Sequence, residues 1–211
     1  MPRDAAATRA RIIAAAETLF YGEGIRAVGV DAIAEAAGVT KRTLYQHFPG
    51  KDALIAAYVE ARDGPTLGRY QGLVGEPGLS ADAQVARVFG HLATVVRGER
   101  WKGCGFVRAV AELAGQPGHP ALAVAAGHKK RFEAWFESVF AADGVADPAA
   151  LARQTMILLD GAVTEALIHR DPGYADAAGA AARTLLAAAR RRAPSRPPRR
   201  RSRQSPTDGS A

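Results

Sequence analysis

The segment Val30-Asp31-Ala32-Ile33-Ala34-Glu35-Ala36-Ala37-Gly38-Val39-Thr40-Lys41-Arg42-Thr43-Leu44-Tyr45 constrains the fold of this chain more than any other stretch. Val30, Ile33 and Ala37 recur at helical spacing, which gives a short helix over 30–37 with one apolar face. Gly38 follows at the place where a helix end takes a left-handed residue. Thr40 then stands as an N-cap, its hydroxyl placed to accept a backbone N–H of a second short helix over 41–47. Leu44 and Phe48, four apart, point this second helix to a core, and Pro49-Gly50 closes it. Small alanines at 34, 36 and 37 let the two helices approach closely, while Val39 fills the gap between them. Two helices joined by a glycine-centred turn form the helix-turn-helix layout. With Leu44 inward, Lys41, Arg42, Tyr45 and Gln46 face away from the core. They are long donors near the N-terminal end of a helix that can enter a DNA major groove. Between Thr40 and Lys51 there are three basic residues and no acid, so a phosphate backbone meets no local repulsion.

The remaining periodicities are also helical. Ile12, Ala16, Leu19 and Phe20 share a face of a helix over 8–21 that ends at Gly22 and Gly24. Lys51 opens a fourth helix with Asp52 at its positive end and an apolar stripe of Ala53, Leu54, Ala57 and Tyr58. Asp63-Gly64-Pro65 is expected to bend or break that helix, as a hinge or as a fixed kink, and 68–78 reads as a connection. Ser80 caps a helix carrying Val85, Val88, Phe89, Leu92 and Val96; another carries Phe106, Val110 and Leu113. After a turn-rich loop over 115–120 comes a longer helix to about residue 140. Asp147-Pro148 starts a helix ended by Asp171-Pro172-Gly173, and an Ala-rich helix runs over about 174–191. No strand pattern and no internal repeat is visible. The expected fold is all-α, with an N-terminal three-helix DNA-binding domain over 1–58 and a larger helical domain over 59–191. Residues 192–211 are an Arg/Pro-rich tail with no apolar side chains to offset ordering entropy, and are expected to be disordered.

Charge carries less than its total suggests. The net charge is +7, but eight arginines from Arg190 onward against Asp208 supply all of it. Residues 1–189 hold 20 basic and 20 acidic side chains, so the basic balance belongs to the tail. A tail of this kind either raises general DNA affinity beside the motif or does nothing; a protein that coats DNA through the tail alone is the rival reading. No run of 18 apolar residues and no signal-peptide pattern occurs, which makes the expected location cytoplasmic. The single Cys104 excludes an internal disulfide and a thiolate zinc site. Lys102 nearby would make that thiol a redox sensor, the alternative being an ordinary buried cysteine. No nucleophile elbow, glycine-rich phosphate loop or metal-ligand cluster accompanies the histidines and carboxylates, so neither an enzyme nor a cofactor is expected.

Phe20, Gly24, Val30, Ile33, Ala34, Ala37-Gly38-Val39, Thr43-Leu44-Tyr45, Phe48, Lys51 and Leu54 carry a resemblance. With their spacing, residues 9–54 resemble the DNA-binding domain of TetR-type (tetracycline-repressor-like) regulators. The resemblance implies that Thr40 and Thr43 bond phosphates and that Tyr45 stacks on the sugar-phosphate backbone. Lys51 would contact phosphate beside helix N-terminal amides. Lys41, Arg42 and Gln46 would reach base edges. His47 would bond phosphate or cap its own helix. Gly29 departs from the family, which commonly has Ser or Thr there as a cap and phosphate contact.

The same resemblance implies a homodimer through 148–169 and 174–191 on a palindromic operator, and a repressor released by a small molecule. The Ala-rich last helix suits close packing, or reflects composition alone. The middle helices would enclose the effector, with His91, Arg108, Glu112, His128, Asp160 and Thr164 as candidate polar groups. Trp101, Phe106, Phe132, Trp135 and Phe136 are candidate walls, or plain core. Arg108 and Glu112, at i and i+4, would equally pair on the surface, and His91 would equally be half-buried core.

Overall fold

A computed structural model describes residues 2–192. Every regular element among them is a helix: α1 (Pro2–Glu23), α2 (Val30–Ala36), α3 (Lys41–His47), α4 (Lys51–Leu73), α5 (Ala81–Val96), α6 (Gly105–Leu113), α7 (Pro120–Ala142), α8 (Pro148–His169) and α9 (Gly173–Arg192). The tail beyond 192 lies outside the described residues. No described helix is long and apolar enough to cross a membrane.

Local chemistry explains several of the boundaries. Thr40, Ser80 and Asp147 each accept the backbone N–H three residues on, at the starts of α3, α5 and α8. Pro148 occupies the first turn of α8, where its missing N–H costs nothing. Gly24 and Gly38 adopt φ of 101° and 63°, a region costly for side chains with a Cβ.

Of the bend or break expected at Asp63-Gly64-Pro65, the break does not occur. α4 runs unbroken through Pro65 to Leu73, and the connection shrinks to residues 74–80. Proline removes the N–H that the Ala61 carbonyl would accept, but Ala61 and Pro65 are both exposed, which leaves that carbonyl open to solvent and lowers the cost. Leu67, Tyr70 and Leu73 pack on the core of the larger half and hold the glycine-rich end helical.

Two apolar cores result. One joins α1–α4 with Phe106, Ala109 and Leu113 of α6 and Ala121 and Ala125 of α7. The other fills the space among α5, α7, α8 and α9. α7 packs on α4 and α8, and α9 packs on α5 and α8. The buried edge of α9 is Ala175, Gly179, Ala182 and Leu186, and it faces α5. There a Cβ at Gly179 would sit 2.8 Å from the Phe89 Cβ, so one reason for the small residues of α9 lies within the chain.

Candidate nucleic-acid interface and ligand cavity

The turn between α2 and α3 is built from its own backbone. Gly38 N–H donates to the Glu35 carbonyl and Val39 N–H to the Ala34 carbonyl, both at 3.0 Å. Thr40 Oγ1 accepts from the Thr43 N–H at 3.1 Å and lies 2.9 Å from Thr43 Oγ1. Leu44 is completely buried and Phe48 nearly so, which anchors α3 in the core it shares with α1, α2 and α4. Burying a leucine in this way contributes about 1.5–3 kcal/mol. The anchored face fixes the opposite one. Thr40, Lys41, Arg42, Tyr45 and Gln46 are exposed, with Thr43, His47 and Lys51 half-buried beside them. Gly29 caps α2 with backbone only, as its lack of a hydroxyl requires.

One neighbour of this face was not visible in the spacing of residues 40–51. Lys41 Nζ lies 2.9 Å from Asp31 Oδ1 on α2, and both side chains are exposed. The hydrogen bond to Asp31 and its charge raise the Lys41 pKa. The ammonium that would reach base edges is therefore tethered in the DNA-free chain.

Behind the interface, the end of α1 is clamped to α6 and the segment before it. Arg108 Nη1 donates to the Tyr21 carbonyl at 2.8 Å, and Glu112 Oε2 accepts the Arg26 N–H at 2.9 Å. Tyr21 Oη donates to the Gly103 carbonyl at 3.1 Å and accepts the Lys102 N–H at 2.9 Å. Lys102 Nζ bonds the Gly22 carbonyl, which engages the ammonium expected beside Cys104. Arg62 of α4 pairs with Glu17 of α1 at 2.5 Å and lies over the Tyr21 and Tyr58 rings.

A cavity of about 180 Å³ opens among α4, α5, α7, α8 and the segment leading into α6. Of the candidate pocket residues, His91, Trp101, Phe106, His128, Phe132 and Asp160 line it. Five candidates do not; one is Trp135, which stacks on Phe136 and meets Phe132 edge-on. Arg108 and Glu112 serve the α1 clamp, and their paths to Tyr21 and Arg26 also exclude the simple surface pair. Phe136 is buried in the core, and Thr164 is exposed on α8 with its hydroxyl turned to the Asp160 carbonyl. Tyr21, Arg62, Arg69, Tyr70, Cys104 and Lys129 line the cavity without having been legible. Tyr70 and Arg69 sit on the stretch read as a connection, so only the continuation of α4 brings them here.

Several of the polar groups are held by a neighbour. His128 Nδ1 is 2.7 Å from Asp63 Oδ1, and its ring stacks on Phe106 with centroids 3.6 Å apart. Burial pushes the His128 pKa down despite that carboxylate. Burial, then the charge of Arg69, lowers the His91 pKa. Tyr70 meets Phe132 and His91 edge-on, and burial pushes its hydroxyl up to about 12. Lys129 Nζ pairs with Asp160 Oδ1 at 2.5 Å. Burial opposes the Lys129 charge, but Cys104 and Asp160 outweigh it and raise the pKa. No group of three potential metal-ligating side chains occurs among the described residues.

Comparison with known proteins places this geometry. Residues 12–58 match the family model of bacterial regulatory proteins of the tetR family. The solved TetR-family transcriptional regulator from Streptomyces coelicolor is 32% identical, with a TM-score of 0.74 over 86% of this chain and 95% of its own. A TetR-type regulator from Streptomyces avermitilis is 33% identical, with a TM-score of 0.78 over 87% and 98%. Among curated proteins, the HTH-type transcriptional regulator TtgR of Pseudomonas putida is 43% identical over 58 residues, 28% of each chain. The HTH-type transcriptional activator FasR of Mycolicibacterium smegmatis is 42% identical over 60 residues, 28% of this chain and 26% of its own. The match thus spans little more than a quarter of these curated relatives.

Proposed function

This chain belongs to the TetR family of transcriptional regulators, and on that footing we propose that it is a homodimeric, sequence-specific repressor released from its operator by a small molecule. The observation that carries DNA reading is the exposed face of α3, held outward by the Thr40 cap and the buried Leu44. Lys41, Arg42 and Gln46 read bases in the major groove. Thr40, Thr43, Tyr45, His47 and Lys51 hold the phosphate backbone on either side. The working division is a reading head over 1–58 and an effector and dimerisation domain over 59–191. Repression would follow from the bound dimer blocking its operator.

Dimerisation rests on an exposed stripe. Ile157, Gly161, Thr164 and Ile168 follow one another along α8 at helical spacing, and Ile157 and Ile168 are 66% and 64% exposed. Ala177, Ala180, Ala181, Thr184 and Ala187 form a small-residue exposed face on adjacent α9. Two copies meeting there bury both isoleucines and pair two reading heads on a palindrome. Effector binding in the cavity would act through α4, which runs from its wall to Lys51 beside the reading helix.

Fluorescence anisotropy of the full chain at about 0.15 M salt tests the reading. The duplex upstream of its own coding sequence is compared with a scrambled duplex of equal length. A preference of roughly a thousandfold is expected. Equal, steeply salt-dependent binding to both would favour coating through the arginine tail.

A further inference from the structure

We propose that the cavity selects a small aromatic monoanion of the aryl-carboxylate class, with Arg69 as the residue that reads its charge. The inference rests on the effector reading above and specifies its chemistry.

Size comes first. An apolar cavity of ~150 Å³ holds a benzene ring, so about 180 Å³ admits one or two fused rings. Shape follows from the walls. Tyr70, Trp101, Phe106 and Phe132 supply aromatic faces and edges, with Leu92 and Met156 completing the apolar lining. A planar ring meets such walls by stacked and edge-on contacts.

Charge decides the rest. Lys129 is neutralised by Asp160 at 2.5 Å, and Arg62 by Glu17 at 2.5 Å. Among the described residues that line the cavity, Arg69 alone carries a formal charge with no counter-ion. Its field reaches the two cavity groups Tyr70 and His91. An aryl carboxylate buries its ring among the aromatics and sets its oxygens on the guanidinium, whose planar fork matches a carboxylate. An amide of the same shape forgoes that pair. An ammonium meets repulsion from Arg69 and must compete with Lys129 for Asp160. Arg69 sits at the exposed rim, so the anion keeps partial hydration while its ring is desolvated.

Calorimetric titration of the full-length protein with 2-naphthoate, 2-naphthamide and 2-naphthylmethylammonium tests this, alongside the Arg69→Gln variant. Naphthoate is expected to bind at least tenfold more tightly than naphthamide, with the ammonium weakest. R69Q is expected to abolish the naphthoate advantage while naphthamide binding stays within about twofold; its melting curve verifies the fold. Naphthamide or the ammonium binding as tightly as naphthoate overturns the charge assignment, as does an R69Q variant that keeps the preference. Failure of all three probes to bind overturns the aromatic class. Operator anisotropy with each probe separates the two readings. Release by a neutral or cationic probe removes the monoanion class and keeps the ligand-released regulator. Tight naphthoate binding without release does the reverse.

Discussion

Asp63 on α4 and His128 on α7 are joined by a 2.7 Å hydrogen bond, in which a neutral imidazole donates from Nδ1 to an ionised carboxylate. Arg131, one turn further along α7, bonds the other Asp63 oxygen. The pair sits where the helix from the reading head crosses the helix that walls the cavity, with His128 stacked on Phe106 of α6. It gives the chain a specific response to acid.

Burial holds the His128 pKa below its ordinary value, against Asp63 and aided by Lys129 and Arg131. Below about pH 6.5 the unfolded chain binds a proton that the folded chain refuses. Stability is therefore expected to fall as pH drops from about 6.5 toward the folded His128 pKa. Asp63, held below the ordinary carboxylate range by His128 and Arg131 despite burial, adds its own loss only at lower pH. His128→Asn keeps a donor for Asp63 and cannot titrate. It should cost about 1–3 kcal/mol at pH 7.5 and reduce the drop between pH 7.5 and 5.5. Urea denaturation at both pH values checks this, and an unchanged drop would refute it.

Lys41 is tethered to Asp31 in the free chain, so Asp31 opposes the approach of phosphate as well as holding the ammonium. Asp31→Asn should tighten binding to the operator and to scrambled duplex alike. It should also steepen the salt dependence by about one counterion, a change in slope of about 0.9. Anisotropy over a salt series measures both, and a slope equal to wild type would show that the pair has no bearing on DNA.

Thr40 has two expected duties, and Thr40→Ser separates them from Thr40→Ala. Alanine removes the bond to the Thr43 N–H and should cost about 1 kcal/mol of stability. Serine retains the cap. If serine restores both the melting temperature and the DNA affinity that alanine loses, the hydroxyl is the operative group; a serine variant as weak as alanine would contradict this.

Pro65 interrupts only one hydrogen bond of an otherwise continuous helix. Pro65→Ala returns a donor to the Ala61 carbonyl and gives up some restriction of the unfolded chain, ~0.4–1 kcal/mol. The helix term is larger, about 3 kcal/mol in a helix interior. A melting temperature raised by a few degrees is expected. A lower one would mean that α4 and its partners are packed around a proline-specific bend.

The exposed Ile157 and Ile168 supply the simplest test of assembly. Ile157→Asp should leave the fold intact, since the side chain faces solvent in the single chain. It should yield monomers by light scattering and weaken operator binding, because two linked heads bind far better than one. A stable dimer in this variant would move the interface elsewhere.

What the amino-acid sequence determined by itself is the reading head and its helical surroundings. The Gly38 turn and the Thr40 cap rest on bonds spanning five residues or fewer, and the inward Leu44 follows from helical periodicity; both are written in residue type and spacing. The same holds for the starts of α5 and α8 at Ser80 and Asp147. Only the tertiary structure decided how distant segments meet. Whether α4 survives Pro65 depends on Tyr70 and Leu73 finding a core, which local propensity does not contain. Arg108 and Glu112 look like a helical ion pair until the end of α1 and the loop after it come against α6 and offer the Tyr21 carbonyl and the Arg26 amide. Lys41 and Asp31 are ten residues apart on different helices, and the angle of the turn brings them together. The cavity is the clearest case. Arg69 and Tyr70, Cys104, and Lys129 come from three separate parts of the chain, and only the crossing of the helices brings these parts together.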